Sequence, residues 1–292
     1  MNKIMSESLP EKKTFIKLLS SIRNLPSMPV VMLEVSKLLN NPLTSAVDLG
    51  KVINKDQGLV AKILAVANSP LYGIPRRVST IEFAIVILGF DHIKNIVMAL
   101  SMIEAFKRND GKNWDNASYW VHSLMTASAA KRIADELRYQ RTGEVFTAGL
   151  LHDLGITIIQ RYFNTEFNAI CDLVDSQEMR YLKAEELTLG LTHQEVGQLL
   201  ANRWNLPESL GETIAFHHQP SALEDNKVLA SIVHLADYMT QRLGIGCFYW
   251  DDNMQLDDNI IEILKFGNES NLNKFIDSHE ELFKNQLDSL TF

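Results

Sequence analysis

Seven histidine and aspartate residues occur along the chain in an order that could bind a transition metal. They are His122, His152, Asp153, His193, His217, His218 and Asp237. Imidazole nitrogens and carboxylate oxygens together suit Fe, Mn, Ni or Zn. The helices of a bundle can bring such side chains to one point from several directions. The pattern therefore predicts a site for a divalent transition metal.

Each of these residues also has a purely structural interpretation. A single histidine on an apolar helix face is more often part of the core than a ligand. Asp237 is harder to explain in that way, because it stands among the apolar residues of VHLADYM and a buried carboxylate requires a cation or strong donors. His234, one turn earlier, could orient a metal ligand. The joint occurrence favours a metal site, and a cluster that hydrogen-bonds within itself without metal remains the alternative.

The elements that must position these residues are helices. Segments 29–39 and 121–137 repeat apolar residues at i, i+3, i+4 and i+7. Ser45, Ser79 and Thr192 are each followed three positions later by an acidic residue, as in a capping box. No alternating run of β-branched residues is long enough to predict a sheet. The sequence predicts an all-α protein.

Polar and glycine-rich segments divide the chain. We expect two packed helical subdomains, residues 1–108 and 109–245, and a C-terminal helical extension, residues 246–292. The clearest linker is the polar stretch at 107–116. The extension is amphipathic, and its apolar stripes could dock on the bundle, bind a partner or form a dimer.

Composition and charge exclude several classes of protein. The 292 residues are 46% hydrophobic and 22% charged, which is typical of a globular protein. The net charge of −8 argues against general binding of duplex DNA, but not against one small anionic ligand. Two cysteines without paired spacing, no signal-peptide pattern and no apolar run of membrane-spanning length predict a cytoplasmic protein that does not bind membranes.

The order His, His-Asp, Asp resembles that of the HD superfamily of metal-dependent phosphohydrolases. The residues on the core ligand positions are His122, His152, Asp153 and Asp237. The residues that match the additional histidines of the two-metal branch are His193, His217 and His218. The resemblance implies an HD-like helical bundle in the second subdomain and one or two metal ions, with Asp153 as the candidate catalytic carboxylate that bridges them.

More specifically, the chain is similar to HDOD proteins, the regulatory relatives of HD enzymes. Segments 25–42, 53–73, 78–90 and 192–220 carry this resemblance, which covers about residues 20–245. It implies a bacterial signal-transduction protein that retains the metal site. Such a protein would act by binding a signalling protein partner or a small phosphorylated ligand. Formation of a homodimer is compatible with either role.

The alternative function is a metal-dependent phosphohydrolase that acts on a nucleotide or another phosphoester. Two departures from the HD-GYP phosphodiesterases count against it. The Gly-Tyr-Pro loop does not follow His217 and His218, and Ile156 stands where those enzymes have a lysine. A hydrolase would need another cation beside the metals, and Arg203 and Lys227 are the nearest in sequence. These departures favour a binding protein.

Overall fold

The computed structural model describes residues 30–39, 41–106, 113–251 and 254–290. Across these residues the chain forms helices and turns and contains no strand, which confirms the predicted all-α class. The helices are α1 (Val30–Leu39), α2 (Ala46–Ile53), α3 (Gln57–Ala67), α4 (Ile81–Leu88), α5 (Phe90–Phe106), α6 (Asn116–Glu136), α7 (Thr142–Leu151), α8 (Leu154–Tyr162), α9 (Asn164–Gln177), α10 (Tyr181–Leu189), α11 (His193–Arg203), α12 (Glu208–Phe216), α13 (Lys227–Leu243), α14 (Ile260–Ile263), α15 (Glu269–Ser278) and α16 (Glu280–Leu290).

Capping residues begin these helices at two of the three predicted places. Ser45 and Thr192 each close a capping box with the acidic residue three positions later. The third prediction is wrong, because the N-cap of α4 is Thr80 and not Ser79. The Thr80 side chain, on an extended backbone, accepts a hydrogen bond from the backbone N–H of Phe83.

One continuous apolar core connects the described helices. Helix α6 packs against α7 and α13, α8 packs against α11, and α5 packs across the predicted subdomain boundary against α7. The division into residues 1–108, 109–245 and 246–292 stays a prediction. The linker predicted at 107–116 lies partly outside the described residues, which resume at residue 113.

The C-terminal helices dock on their own chain. The buried apolar side chains of α15 and α16 include Leu272, Ile276 and Phe283. Helix α16 packs against α6 and against the 3₁₀ turn Pro70–Tyr72. There the side-chain oxygen of Gln286 accepts hydrogen bonds from the Ser69 hydroxyl and, at 3.3 Å, from the backbone N–H of Leu71. The extension is therefore part of the folded body.

Within the described residues, no single helix is both long and apolar enough to cross a membrane. Helix α4 and the first part of α5, up to Ser101, satisfy the length and composition limits only when taken together, and they are bent by 120° at Gly89.

Candidate metal centre

The structure brings together the seven predicted site residues, which lie in or directly beside six helices. His152 is the C-cap of α7 and Asp153 is the N-cap of α8, so the doublet forms the turn between two helices. His122 lies in α6 and Asp237 in α13. His193 begins α11. The remaining pair, His217 and His218, follows the last residue of α12.

Glycines allow the helices around this centre to approach closely. A Cβ atom on Gly155 of α8 would lie 1.8 Å from the carbonyl oxygen of His193. A Cβ atom on Gly149 of α7 would lie 2.8 Å from the Cα of Ala127 in α6. Both distances are shorter than a real Cβ contact, so these helices could not approach as closely with a larger residue.

His122, His152 and Asp237 form the first group of candidate ligands. The Nε2 atoms of His122 and His152 lie 3.2 Å apart, and Oδ1 of Asp237 lies 3.4 Å from Nε2 of His122. All three side chains are buried. One ligand atom from each lies within 4.8 Å of the other two, so the group could hold a metal ion.

His193, His217 and His218 form the second group. Nε2 of His193 lies 3.4 Å from Nε2 of His217 and 3.3 Å from Nε2 of His218. The first two residues are buried, whereas His218 is half-buried. This group also satisfies the 4.8 Å limit and could hold a second ion.

Asp153 lies between the two groups and presents one carboxylate oxygen to each. Oδ2 is 3.3 Å from Nε2 of His152 and 3.6 Å from Nε2 of His122. Oδ1 is 3.4 Å from Nε2 of His193 and 3.5 Å from Nε2 of His217. These separations exceed the roughly 2.7–3.2 Å of an N–H···O hydrogen bond. Among the seven candidate residues, Asp153 is therefore the one whose carboxylate would be available to an ion in either group.

The protonation states suit metal binding. Burial alone would raise the pKa of Asp153, but the neighbouring histidines, His152 first among them, hold that pKa well below its ordinary value. Burial lowers the pKa of His217 well below its ordinary value, and His218 adds to this effect. An ionised carboxylate beside a neutral imidazole is the state that binds a metal.

The hydrogen bonds of the histidines fix which ring nitrogen carries the proton. Nδ1 of His122, His152 and His217 lies 3.0, 2.7 and 2.8 Å from the backbone carbonyl oxygens of Gly246, Gly149 and Ile214, respectively. A carbonyl oxygen only accepts, so each Nδ1 must donate a proton. In the neutral rings Nε2 is then an acceptor, and all three Nε2 atoms face the centre.

These acceptors stand too close together to be stable on their own. Two unprotonated Nε2 atoms at 3.2 Å repel and cannot hydrogen-bond unless one ring gains a second proton, which burial disfavours. A cation between the rings removes this conflict. Ligand atoms bound to one ion at ~2.1 Å stand about 3.0–3.4 Å from one another. This matches the distances from His122 to His152 and Asp237 and from His193 to His217 and His218, whereas His152 and Asp237 are 4.0 Å apart. The residues present therefore fit divalent metal ions.

Glu185 of α10 was missed by the sequence analysis. It is fully buried, and its carboxylate accepts hydrogen bonds from the backbone N–H of His193 at 2.6 Å and from its Nδ1 at 2.9 Å. The indole N–H of Trp250 donates to the same carboxylate. A signal was present in the sequence, because Glu185 lies four residues after Tyr181 and four before Leu189 on the apolar face of α10.

His234 contacts the centre through the backbone of a candidate ligand. Its Nδ1 donates to the carbonyl oxygen of His217 at 2.6 Å, and its Nε2 accepts from the backbone N–H of Asp257 at 2.8 Å. His234 thus connects α13 to the turn that carries His217 and to the segment before α14.

A cavity of about 610 Å³ opens beside His218, the half-buried residue of the second group. Arg180 lines it, together with the carboxylates of Glu186, Asp257 and Asp258. Its lining residues do not include Arg203 or Lys227, the two cations that the sequence analysis considered for a hydrolase. Sequence reasoning missed Arg180, because only the fold brings residue 180 next to residue 218.

Comparison with known proteins relates the chain to one family. The family model described as the HDOD domain matches residues 25–220. A protein of Treponema pallidum (strain Nichols), described as uncharacterized, is 27% identical over 227 residues, which are 77% of this chain and 44% of that protein. The chain thus spans less than half the length of this curated relative.

Solved structures have the same fold. An HDOD domain protein of unknown function from Geobacter sulfurreducens has a TM-score of 0.78 and 27% identity, with 97% of this chain and 98% of that chain covered. A Shewanella amazonensis protein, provisionally named a phosphohydrolase, has a TM-score of 0.68 and 21% identity over 95% and 98% of the two chains. The second likeness concerns the fold alone.

Proposed function

This chain belongs to the HDOD family, and we propose that it is a signal-transduction protein that holds one or two divalent transition-metal ions around Asp153. It acts by binding a signalling protein partner or a small phosphorylated ligand. The metal stabilises the surface at which this binding takes place.

The observation that carries this proposal is the orientation of the histidine rings. His122, His152 and His217 commit Nδ1 to backbone carbonyls, so their Nε2 lone pairs converge on Asp153. A cluster that only hydrogen-bonds within itself would need protons between these atoms. The geometry therefore favours metal over the metal-free alternative.

Hydrogen bonds connect the centre to the wall of the cavity beside His218. Trp250, which lines the cavity, donates to the carboxylate of Glu185, and that carboxylate accepts from His193. Asp257, which lines the cavity with Trp250, is connected to His217 through His234. An ion that fixes the histidine rings would therefore stabilise the cavity wall, which is where a ligand or partner would meet the centre.

Two features favour binding over rapid hydrolysis. Ile156 is fully buried, so the position at which HD-GYP enzymes have a lysine contributes no charge. Of the described residues that line the cavity, Arg180 is the one lysine or arginine, and three carboxylates accompany it. Apart from the metal ions, the cavity therefore offers a phosphoryl group one cationic side chain, and the neighbouring carboxylates oppose the negative charge of its transition state.

The test is elemental analysis of freshly purified protein, with thermal unfolding before and after chelation. We expect one or two equivalents of Fe, Mn, Ni or Zn. An ion at a free concentration of about 1,000 times its Kd stabilises the fold by about 4 kcal/mol, so its removal should lower Tm by about 10 °C. A folded protein without metal and with a Tm that a chelator leaves unchanged would contradict the proposal.

A phosphohydrolase is the second candidate function, and the position of Arg180 in the cavity beside His218 favours it. A divalent ion at this centre would polarise a phosphoryl oxygen and lower the pKa of a bound water. Arg180 would bind the non-bridging oxygens of the phosphoester. A screen of nucleotides and other phosphoesters with metal-loaded protein tests this function, and no turnover above that of a metal-free sample would exclude it.

A further inference from the structure

The two ligand groups differ in the negative charge that they offer directly to an ion. The first group has a carboxylate of its own, Asp237, besides its histidines. The second group consists of histidines alone. Both groups share Asp153, which presents one oxygen to each. By its direct ligands, the second group is the weaker site for a divalent cation.

Glu185 lies directly behind the second group. It is fully buried, and both of its oxygens are used within 3 Å of His193, one by the backbone N–H and one by the Nδ1 proton of the ring. A buried carboxylate is strongly unfavourable without nearby positive charge. The indole of Trp250 is a neutral donor, and the His193 ring connects Glu185 to the centre, so a cation bound at Nε2 of His193 would compensate the buried carboxylate.

The other histidines have a different environment. Nδ1 of His122, His152 and His217 donates to a neutral backbone carbonyl. Among these fixed rings, His193 alone donates to a carboxylate. An imidazole that donates to a carboxylate is a more basic ligand and holds its metal more tightly than one that donates to a neutral acceptor.

We propose that Glu185 is a positioning residue that supplies, through His193, the negative charge that the second group lacks, and that it thereby allows this group to hold a divalent ion of its own. The inference rests on the proposed function, because it requires the centre to bind metal. It extends that function by assigning two ions to the centre.

The charges of the buried residues agree with this assignment. If the carboxylates are counted as ionised and the imidazoles as neutral, Asp153, Asp237 and Glu185 contribute three negative charges, whereas two divalent ions carry four positive charges. One positive charge then remains, which a single anionic ligand or hydroxide neutralises. Without the Glu185 charge, two positive charges would remain, and the second ion would bind less tightly.

The test compares Glu185→Gln with Glu280→Gln in the full chain. Glu185→Gln keeps the size and one of the two acceptor oxygens beside His193 but removes the charge. Glu280 begins α16, is exposed, pairs with Lys284 and does not line the cavity beside His218, so its substitution removes an equal charge away from His193. Metal-free samples of each protein are titrated with Zn²⁺ against a chromophoric chelator, and with Co²⁺ to record the ligand-field spectrum.

We expect two equivalents of Zn²⁺ in the wild type and in Glu280→Gln. In Glu185→Gln the first equivalent should bind as in the wild type and the second about 10- to 100-fold more weakly. The Co²⁺ spectrum should lose the component that belongs to the second equivalent. Glu185→Asp, which keeps the charge, should recover most of the affinity, and it carries the test if Glu185→Gln does not fold.

The inference would be overturned if Glu185→Gln bound both equivalents with wild-type affinity, or if Glu185→Asp weakened the second ion as much as Glu185→Gln does. A wild type that binds a single equivalent would also overturn it, but would leave the proposed function standing. A wild type that binds none would overturn both, so the wild-type titration separates the two failures.

Discussion

His152 and His217 occupy equivalent places in different helices and hold their rings in the same way. Each follows the last residue of its helix and donates Nδ1–H to the carbonyl three residues earlier. Their Nε2 atoms lie 3.3 and 3.5 Å from opposite oxygens of Asp153. The ring centroids are 5.1 Å apart and the ring planes are nearly perpendicular, at 88°. The ends of two helices thus place an imidazole ring on each side of one carboxylate.

This arrangement predicts different losses of metal when each aspartate is neutralised. Asp153→Asn should weaken both ions, because both of its oxygens face ligand groups. Asp237→Asn should remove only the ion of the first group, because Asp237 belongs to that group alone. Elemental analysis after gel filtration measures the difference. Asp172→Asn, an exposed change in α9, serves as the control, and two tightly bound ions in Asp153→Asn would contradict the bridging position.

The glycine contact between α8 and α11 predicts a substitution that damages both stability and the site. In Gly155→Ala the new Cβ would meet the carbonyl oxygen of His193, so the two helices must separate. Such overpacking costs about 1–3 kcal/mol, and it should also displace His193 from Asp153. Thermal unfolding and metal content measure the two effects. Gly211→Ala is the matched control, because a Cβ there meets nothing closer than 3.5 Å and alanine suits a helix.

His92, a buried histidine outside the metal centre, should contribute to the loss of folding stability at low pH. Burial, with a smaller contribution from Lys131, lowers the pKa of His92 from 6.5 to about 4, and Nε2 of His92 lies 2.6 Å from the Tyr72 hydroxyl. The unfolded chain takes up this proton near pH 6.5, whereas the folded protein does so only near pH 4. The contribution to stability is therefore complete above pH 6.5 and is lost as the pH falls to 4.

The measurement is the free energy of unfolding of metal-free wild type and His92→Gln between pH 4 and 7.5. The wild type should lose up to about 3 kcal/mol more than the variant across this range. Because both proteins are free of metal, protonation of the candidate ligands affects both in the same way and cancels in the comparison. Parallel pH profiles for the two proteins would exclude this role for His92.

Arg180 provides a prediction about ligand binding. Its guanidinium makes no ion pair among the described residues, and it lines the cavity beside His218. Loss of a charge-assisted hydrogen bond to a phosphoryl group costs about 1.5–3 kcal/mol, so Arg180→Ala should weaken the binding of inorganic phosphate at least tenfold without changing the metal content. Calorimetry on metal-loaded protein measures this. Arg76→Ala, an exposed change outside the cavity, should bind phosphate as the wild type does.

The all-α fold class was predicted correctly, and the residues of the candidate centre could be proposed, because both inferences depend on residue types and spacing. Helical periodicity and caps such as Thr192 are local features, and the structure contains them. The doublet of His152 and Asp153 does not by itself indicate which other residues lie near it in the fold. Its convergence with Asp237 was expected from the resemblance to HD proteins, since residues so far apart in sequence are brought together only by the fold.

Other parts of the centre could not be predicted because they depend on tertiary contacts. Glu185 stands in LKAEELTL, where two adjacent glutamates suggest an exposed face, and only the packing of α10 buries the first of them. Gly155 follows the doublet of His152 and Asp153 closely in sequence. Glycine is required at this position because a Cβ would meet the carbonyl oxygen of His193, a residue 38 positions later. The start of α4 was misplaced by one residue, because Ser79 and Thr80 are both good N-caps.

The contact of Gln286 with Ser69 and Leu71 has a consequence for biosynthesis. These partners are more than 210 residues apart in sequence, and the hydrogen bonds between them are buried. While the chain is on the ribosome, the turn at Pro70–Tyr72 emerges long before Gln286 has been synthesised. The early helices can form as they emerge, but this turn acquires its final packing only after α16 has left the exit tunnel.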